Sequence, residues 1–196
     1  MRGCARAAGR RLANTLGATM PAGTSNVVVR AAVVADMPSV AAMLKVYMAE
    51  IFNCPWDGSL EALVRDGLGR EFQTVVAERT DCLVGFACWR RVYDLHHCAV
   101  GGEVMDMYVR PESRRSGTAL SLVSMVAAQV QFAGGRFVKG SADATLEPVY
   151  ARVAVVFTGA ECYLGGRAFR VFADAAGSPP RELIRNLPSS ALNHEH

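Results

Sequence analysis

The stretch from Glu103 to Gln131, EVMDMYVRPESRRSGTALSLVSMVAAQVQ, constrains the fold more than any other part of the chain. Glu103 to Val109 is β-prone, and the chain breaks at Pro111. From Gly117 onward Leu120, Val123, Val126, Ala127 and Val130 recur at helical spacing. The segment therefore reads as a strand, a short basic turn and a long apolar helix. A helix that opens on small residues leaves its first N–H groups unpaired and directed at whatever lies in front. The helix dipole adds partial positive charge there, so an anion, typically a phosphate, is the natural guest. Gly117 permits close backbone approach because it has no Cβ. Arg114 and Arg115 at the rim can add charge-assisted hydrogen bonds.

The rest of the chain must build a core around that unit. Hydrophobic residues make up 51% of the 196 and charged ones 20%, which supports a sizeable core and excludes wholesale disorder. No apolar run approaches the ~20 residues needed to span a bilayer. The formal net charge of +3 comes from the first 24 residues, where Arg2, Arg6, Arg10 and Arg11 meet no acid. The remainder holds 17 basic against 18 acidic residues, which offers nucleic acid no electrostatic footprint. Residues 1–24 read as a disordered tail or an over-extended start with the initiator at Met20. Residues 25–176 read as one domain, and 177–196 as a terminal segment and polar tail. Six scattered cysteines with no CxxC pair suggest a reduced, cytoplasmic protein without a metal site. His96 and His97 are adjacent, so on a strand they would diverge rather than share a metal.

In chain order, Val27 to Val34 reads as a strand, and Asp36 as the cap of a helix running to about Phe52. Ser59 caps a shorter helix with Leu60, Leu63, Val64 and Leu68 inward. Phe72 to Ala77 and Cys82 to Val92 form a hairpin across Glu78-Arg79-Thr80-Asp81, followed by a loop from Tyr93 to Gly102. After the central strand and helix, Arg136 to Gly140 reads as a parallel strand returning beside them. A short helix over about Ala144 to Arg152 follows, and Val153 to Leu164 and Ala168 to Phe172 read as closing strands.

The central segment resembles the acetyl-CoA-binding motif of the GNAT superfamily of N-acetyltransferases, Gln/Arg-x-x-Gly-x-Gly/Ala, with Arg114, Gly117 and Ala119 in its fixed places. The opening VRAAVVADMPSVAAML and the order β-α-α-β-β-β-α-β-α-β resemble the same superfamily over roughly residues 27 to 172. The resemblance implies an α/β fold, a mixed central sheet flanked by helices, and acetyl-CoA as co-substrate with no metal. It puts the backbone of Met107, Tyr108 and Val109 against the pantetheine arm, and Arg114, Arg115, Ser116, Gly117, Thr118, Ala119 and Leu120 around the pyrophosphate. It also implies a homodimer.

Acetyl transfer to an amine needs a base for the amine, a donor for the carbonyl oxygen and an acid for the leaving thiolate. Glu103, eleven residues before Arg114, stands where enzymes of the histone-acetylating type carry their catalytic glutamate. Met105 fills the place used by polyamine N-acetyltransferases, and strand alternation puts it on the face of Glu103, with Asp106 opposite. Tyr150 matches the family's acid, with Asp143 where asparagine is usual and Val153 to Phe157 replacing a Gly-Phe turn. Tyr47, Glu50, Trp56, Asp57, Trp89 and Asp106 are candidates for an amine pocket. The stretch YDLHHCAVGGEVMDMYVRPESRR looks most like small-molecule amine acetyltransferases, so a small primary amine is the first expectation and a protein lysine or N-terminal amine the second. A rival from another class is a GNAT-like domain that binds acyl-CoA without turnover.

Overall fold

A computed structural model describes residues 27–142, 146–158 and 161–187. The expected N-terminal tail, Asp143 and the last residues of the chain lie outside the described residues. The elements follow in the order β1 Val28–Ala31, α1 Met37–Phe52, α2 Leu60–Asp66, β2 Gln73–Arg79, β3 Cys82–Asp94, β4 Ala99–Val109, α3 Thr118–Phe132 and β5 Val138–Ser141. They continue with α4 Glu147–Ala151, β6 Val156–Thr158, β7 Glu161–Leu164, α5 Gly166–Asp174 and α6 Pro180–Asn186. One sheet, ordered β1-β2-β3-β4-β5-β7-β6, runs through the domain. Among the described residues only the β4–β5 pair is parallel; every other pair is antiparallel. Helix α3 is the crossover that makes that parallel pair possible, since parallel neighbours cannot be joined by a tight turn.

Two cores form because the sheet is apolar on both faces. On one face Leu122, Val126 and Val130 of α3 and Phe169 and Phe172 of α5 pack on Val75, Ala87, Met107 and Val109. On the other, Met37, Val40, Met43, Leu44 and Tyr47 of α1 and Leu63 of α2 pack on Val76, Phe86, Cys88 and Tyr108. Ser59 caps α2 as expected, its hydroxyl accepting from the Ala62 N–H at 3.1 Å. The β2–β3 hairpin turns on Thr80 and Asp81, both at positive φ, the twist-compatible geometry of a two-residue hairpin loop.

The structure departs from sequence expectation in three places. Ala168 to Phe172 lies within helix α5: burial of Ala168, Phe169, Phe172 and Ala173 follows helical rather than alternating spacing, with Arg167 and Arg170 exposed. The expected loop from Tyr93 to Gly102 shrinks to residues 95–98, because β3 and β4 extend to Asp94 and Ala99. Glycines 101 and 102, which suggest a breaker locally, sit in the strand because Phe137 and Val130 press on them; a Cβ on Gly102 would come within 2.4 Å of Val130. Asp36 does not cap α1, whose second position is Pro38 and has no N–H to offer. Its carboxylate instead accepts from Arg30 at 2.6 and 2.9 Å and from the Val33 N–H at 2.8 Å. Arg30 also donates to Glu78 at 2.8 Å, tying β1, β2 and the start of α1 together.

The hydrogen bonds from Arg30 hold the Asp36 carboxyl below its ordinary range. A depressed native pKa contributes stability that is present above the unfolded value and lost as pH falls. Asp36→Asn is therefore expected to cost about 1–2 kcal/mol near neutral pH, discounted for the partial exposure of Arg30. Thermal melts should show that gap shrink below about pH 4, the usual carboxylate range. A gap unchanged in acid would assign the loss to packing instead of the ion pair.

Candidate active site

A single extra residue in β4 decides the layout. Cys88 faces Asp106 whereas the next residue, Trp89, faces Val104, so Met105 is inserted without a partner as a β-bulge. A bulge resets the alternation of side chains. Gly102 and Val104 lie on the α3 side, and beyond the bulge so do Met107 and Val109. Glu103 and Asp106 consequently share the α1 face. The expectation from simple alternation, which separated these two carboxylates, is corrected here.

The bulge also marks where β4 parts from β5. Their pairing covers only Gly102 to Val104 against Val138 to Gly140. The Arg110 N–H donates to Val84 of β3 at 2.9 Å, so by alternation the N–H groups of Met107 and Val109 face the other way, into the gap. Among the described residues Met107 to Val109 have no strand partner on that side. Beneath the gap lies an apolar cleft lined by Met107, Leu120, Val123, Gly140, Tyr150 and Val153, among others. An extended chain with hydrogen-bonding groups can add to such an edge as a strand would.

At the end of β4 the chain turns through Pro111–Ser113 and enters α3 at Gly117, which adopts φ +84°. The Ser121 N–H closes the first helical bond on the Gly117 carbonyl at 3.1 Å, leaving the N–H groups of Thr118, Ala119 and Leu120 outside the ladder. The Ser116 hydroxyl lies 2.8 Å from the Thr118 hydroxyl and donates to the Ser113 carbonyl at 2.7 Å. This is a cradle of donors at a helix start, and an anion fits it.

Arg114 does not stand at the rim. Its guanidinium turns back to Glu50 of α1, at 2.8 and 2.9 Å, donates to the Val109 carbonyl at 2.9 Å, and lies over the Tyr108 ring at 5.5 Å. The cation beside the cradle is Arg79, from the end of β2. It reaches Ser116 Oγ at 3.2 Å and Ser113 Oγ at 3.5 Å, and its buried Nε has no hydrogen-bond partner among the described residues. No sequence motif marks Arg79; only the sheet order brings β2 close to this turn.

On the α1 face, Tyr47 donates to Asp106 at 3.0 Å and Tyr108 to Glu50 at 3.4 Å. Glu103 pairs with the exposed Arg90 at 2.7 Å. Tyr47, Glu50, Glu103 and Asp106 are thus gathered on one side of the sheet. Trp89 is not with them: it is buried on the α3 side, donating from Nε1 to Gln129 of α3 at 2.7 Å. Trp56 packs against the α1–α2 core, and Asp57 is exposed beside it.

Tyr150 comes from α4 into the cleft and is 5% exposed. Its hydroxyl has no hydrogen-bond partner among the described residues. Burial first, and then the neighbouring Cys162 thiol, push the phenol above the ordinary tyrosine range, so it keeps its proton at working pH. An orphaned buried hydroxyl is costly unless a guest supplies the partner. The unpaired β4 edge, the cradle and this hydroxyl lie along one path, which fits the pantetheine arm and pyrophosphate of acetyl-CoA. Among the described residues no group of three or more His, Cys, Asp or Glu could hold a metal ion. His96 and His97 sit in the β3–β4 turn, where Asp94 accepts from the His96 backbone N–H and pairs with His97 Nδ1, both at 2.8 Å.

Comparison with known proteins agrees with this geometry. The N-acetyltransferase of Staphylococcus aureus Mu50 superposes with a TM-score of 0.58 at 16% identity, over 72% of this chain and 99% of that one. The acetyltransferase yncA of Salmonella typhimurium, solved with its cofactor acetyl-CoA, gives 0.58 at 12% identity, over 71% and 93%. An aminoglycoside acetyltransferase from an uncultured soil metagenomic sample, in complex with sisomicin, gives 0.53 at 17%, over 62% and 81%. At such identities the likeness speaks for the fold. No curated protein sequence matches the chain. The sequence profile of the acetyltransferase (GNAT) family matches residues 40–144, more than half of the chain, from within α1 through β4, α3 and β5. The chain therefore belongs to the acetyltransferase (GNAT) family and is an acyltransferase with acetyl-CoA as its co-substrate.

Proposed function

We propose that the chain transfers the acetyl group to a primary amine of a small molecule by direct attack, with Glu103 as base and Tyr150 as acid. The observation that carries this reading is the bulge at Met105, which opens the sheet beside two carboxylates on one face and an orphaned phenol on the other. Acetyl-CoA, when bound, supplies the thioester carbonyl carbon for attack. The Met107 or Val109 N–H would donate to the carbonyl oxygen as charge builds on it, and a fixed donor of that kind contributes more in a dry cleft than in water. Glu103 would accept the amine proton; its pair with Arg90 is solvent-exposed and can part at little cost. Asp106, oriented by Tyr47, would hold the cationic amine before attack. Tyr150 Oη would deliver its proton to the departing sulfur and regain a hydrogen-bond partner in doing so.

A small-molecule acceptor is supported by the gathering of Tyr47, Glu50, Glu103 and Asp106 on one side of the sheet and by the fold's likeness to an enzyme that holds sisomicin. The cofactor site would consist of Met107, Tyr108 and Val109, the cradle from Arg115 to Leu120, and Arg79 as an added cation, with Arg114 acting through Glu50 to fix the turn. A homodimer in the cytoplasm completes the proposal.

Saturating acetyl-CoA, at about 100 times its Kd, is expected to stabilise the protein by roughly 2.7 kcal/mol and raise Tm by several degrees. Gly117→Asp, which puts a carboxylate and an unfavourable φ in the cradle, should abolish that rise; a variant that still responds would remove the cradle from the cofactor site. Thiol release with an amine panel tests the acceptor side. Glu103→Gln is expected to lower kcat/KM about 100-fold or more, and Tyr150→Phe by about 10- to 100-fold. Because the Tyr150 pKa is raised, its loss should not move any limb of the pH profile below about pH 10, the ordinary tyrosine value. If Asp106→Asn rather than Glu103→Gln gives the larger loss of kcat/KM, the two carboxylates exchange roles.

A further inference from the structure

At the opposite end of β4 from the cradle lies a second cavity, of about 440 Å³, that the acetyl-transfer reading does not use. It is bounded by the first residue of β4, the segment entering β5, the end of β7 and the first turn of α5. It shares no lining residue with the apolar cleft, although Phe137 and Tyr163 here directly precede Val138 and Leu164 there.

Its walls have a definite chemistry. Phe137 and Tyr163 stack with ring centroids 5.2 Å apart and planes 23° from parallel, giving a rigid aromatic side. Arg136 and Arg170 supply guanidiniums and His97 an imidazole, and none of the described residues lining the cavity is acidic. The Asp94 carboxylate lies beside it, paired with His97 Nδ1 at 2.8 Å and accepting from the His96 N–H. Both Asp94 and Arg136 act on the Tyr163 phenol, the first raising and the second lowering its pKa after burial has raised it, so Arg136 reaches the same space. Outside the first 24 residues the chain carries one more acid than base, so two guanidiniums lining one cavity stand out against that background. The volume falls within the range of small-molecule sites. A guanidinium matches the planar geometry of carboxylate or phosphate oxygens.

We propose that this cavity is a second binding site, for a small oxyanion, a phosphate ester or a carboxylate, whose organic part rests on the Phe137–Tyr163 wall. The site is separate from the acetyl-transfer centre, though β4 runs from one to the other.

The test is a titration of the whole ¹⁵N-labelled chain, followed by amide resonances, with phenyl phosphate, inorganic phosphate, benzoate and the uncharged benzyl alcohol. Saturable shifts of Gly135, Arg136, Gly166 and Arg170, tighter for phenyl phosphate than for inorganic phosphate and missing with benzyl alcohol, are expected. A stronger response to benzoate than to phenyl phosphate would assign the anion as a carboxylate. Gly117 reports separately on the cradle, which can also take phosphate, so a failed cofactor reading would show there and not here. In the doubly substituted Arg136→Gln, Arg170→Gln chain these shifts should disappear while the Gly117 response to acetyl-CoA persists, which also shows that the variant is folded. Shifts that survive in that variant, or no saturation with either anion at tens of millimolar, would overturn the proposal.

Discussion

The site depends on the point at which β4 stops pairing with β5. A sheet is stable because each strand satisfies its neighbour's N–H and C=O groups, and an interior gap in that ladder leaves donors and acceptors exposed to whatever can enter. Here the ladder ends at Val104 and Gly140, one residue before the bulge at Met105. The apolar cleft beneath, the outward N–H groups of Met107 and Val109, and the carboxylates of Glu103 and Asp106 are all consequences of that break. A regular β4 would place Asp106 in the α3 core and keep the sheet closed.

The two cores hold the gap open from both sides. Helix α3 packs under β2, β3 and β4 through Leu122, Val126 and Val130, and its first turn is the cradle, so the donors cannot drift without disturbing the largest core. On the other face α1 brings Tyr47 to Asp106 and Glu50 to Arg114. The Arg114–Glu50 pair, with Tyr108 under the guanidinium, links the turn after β4 to the acceptor face. The proposed cofactor and acceptor halves would thus be joined by an ion pair that reads, in sequence, as an isolated motif arginine.

Long strands give the protein two ends with different character. The cradle end collects backbone donors and Arg79. The opposite end collects Arg136, Arg170 and His97 around an aromatic stack. Both ends carry basic side chains although the chain beyond its first 24 residues has one acid more than base, so charge is sorted along the sheet and not spread evenly.

The sequence by itself determined the central strand–turn–helix, the α1 and α2 helices with the Ser59 cap, the β2–β3 hairpin and the parallel return of β5. Each of these rests on local pattern: apolar periodicity, capping chemistry and turn residues act over a few positions and are legible without a fold. Tertiary structure decided the rest. The bulge at Met105 has no local signature, since it arises from the register between β3 and β4, yet it moves Asp106 to the other face. Ala168 to Phe172 reads as a short strand by itself but is helical once α5 packs on α3. Trp89 went to the α3 core because strand parity, and not its type, sets its side. Arg114 leaves the rim, its expected place, and Arg79 comes to it, because a guanidinium goes to the carboxylate or hydroxyls that the fold brings within reach, and partners tens of residues away, such as Glu50 for Arg114 and Ser116 for Arg79, cannot be read from a motif. Residue types thus announced the chemistry, and the sheet's register and packing chose which side chains face one another.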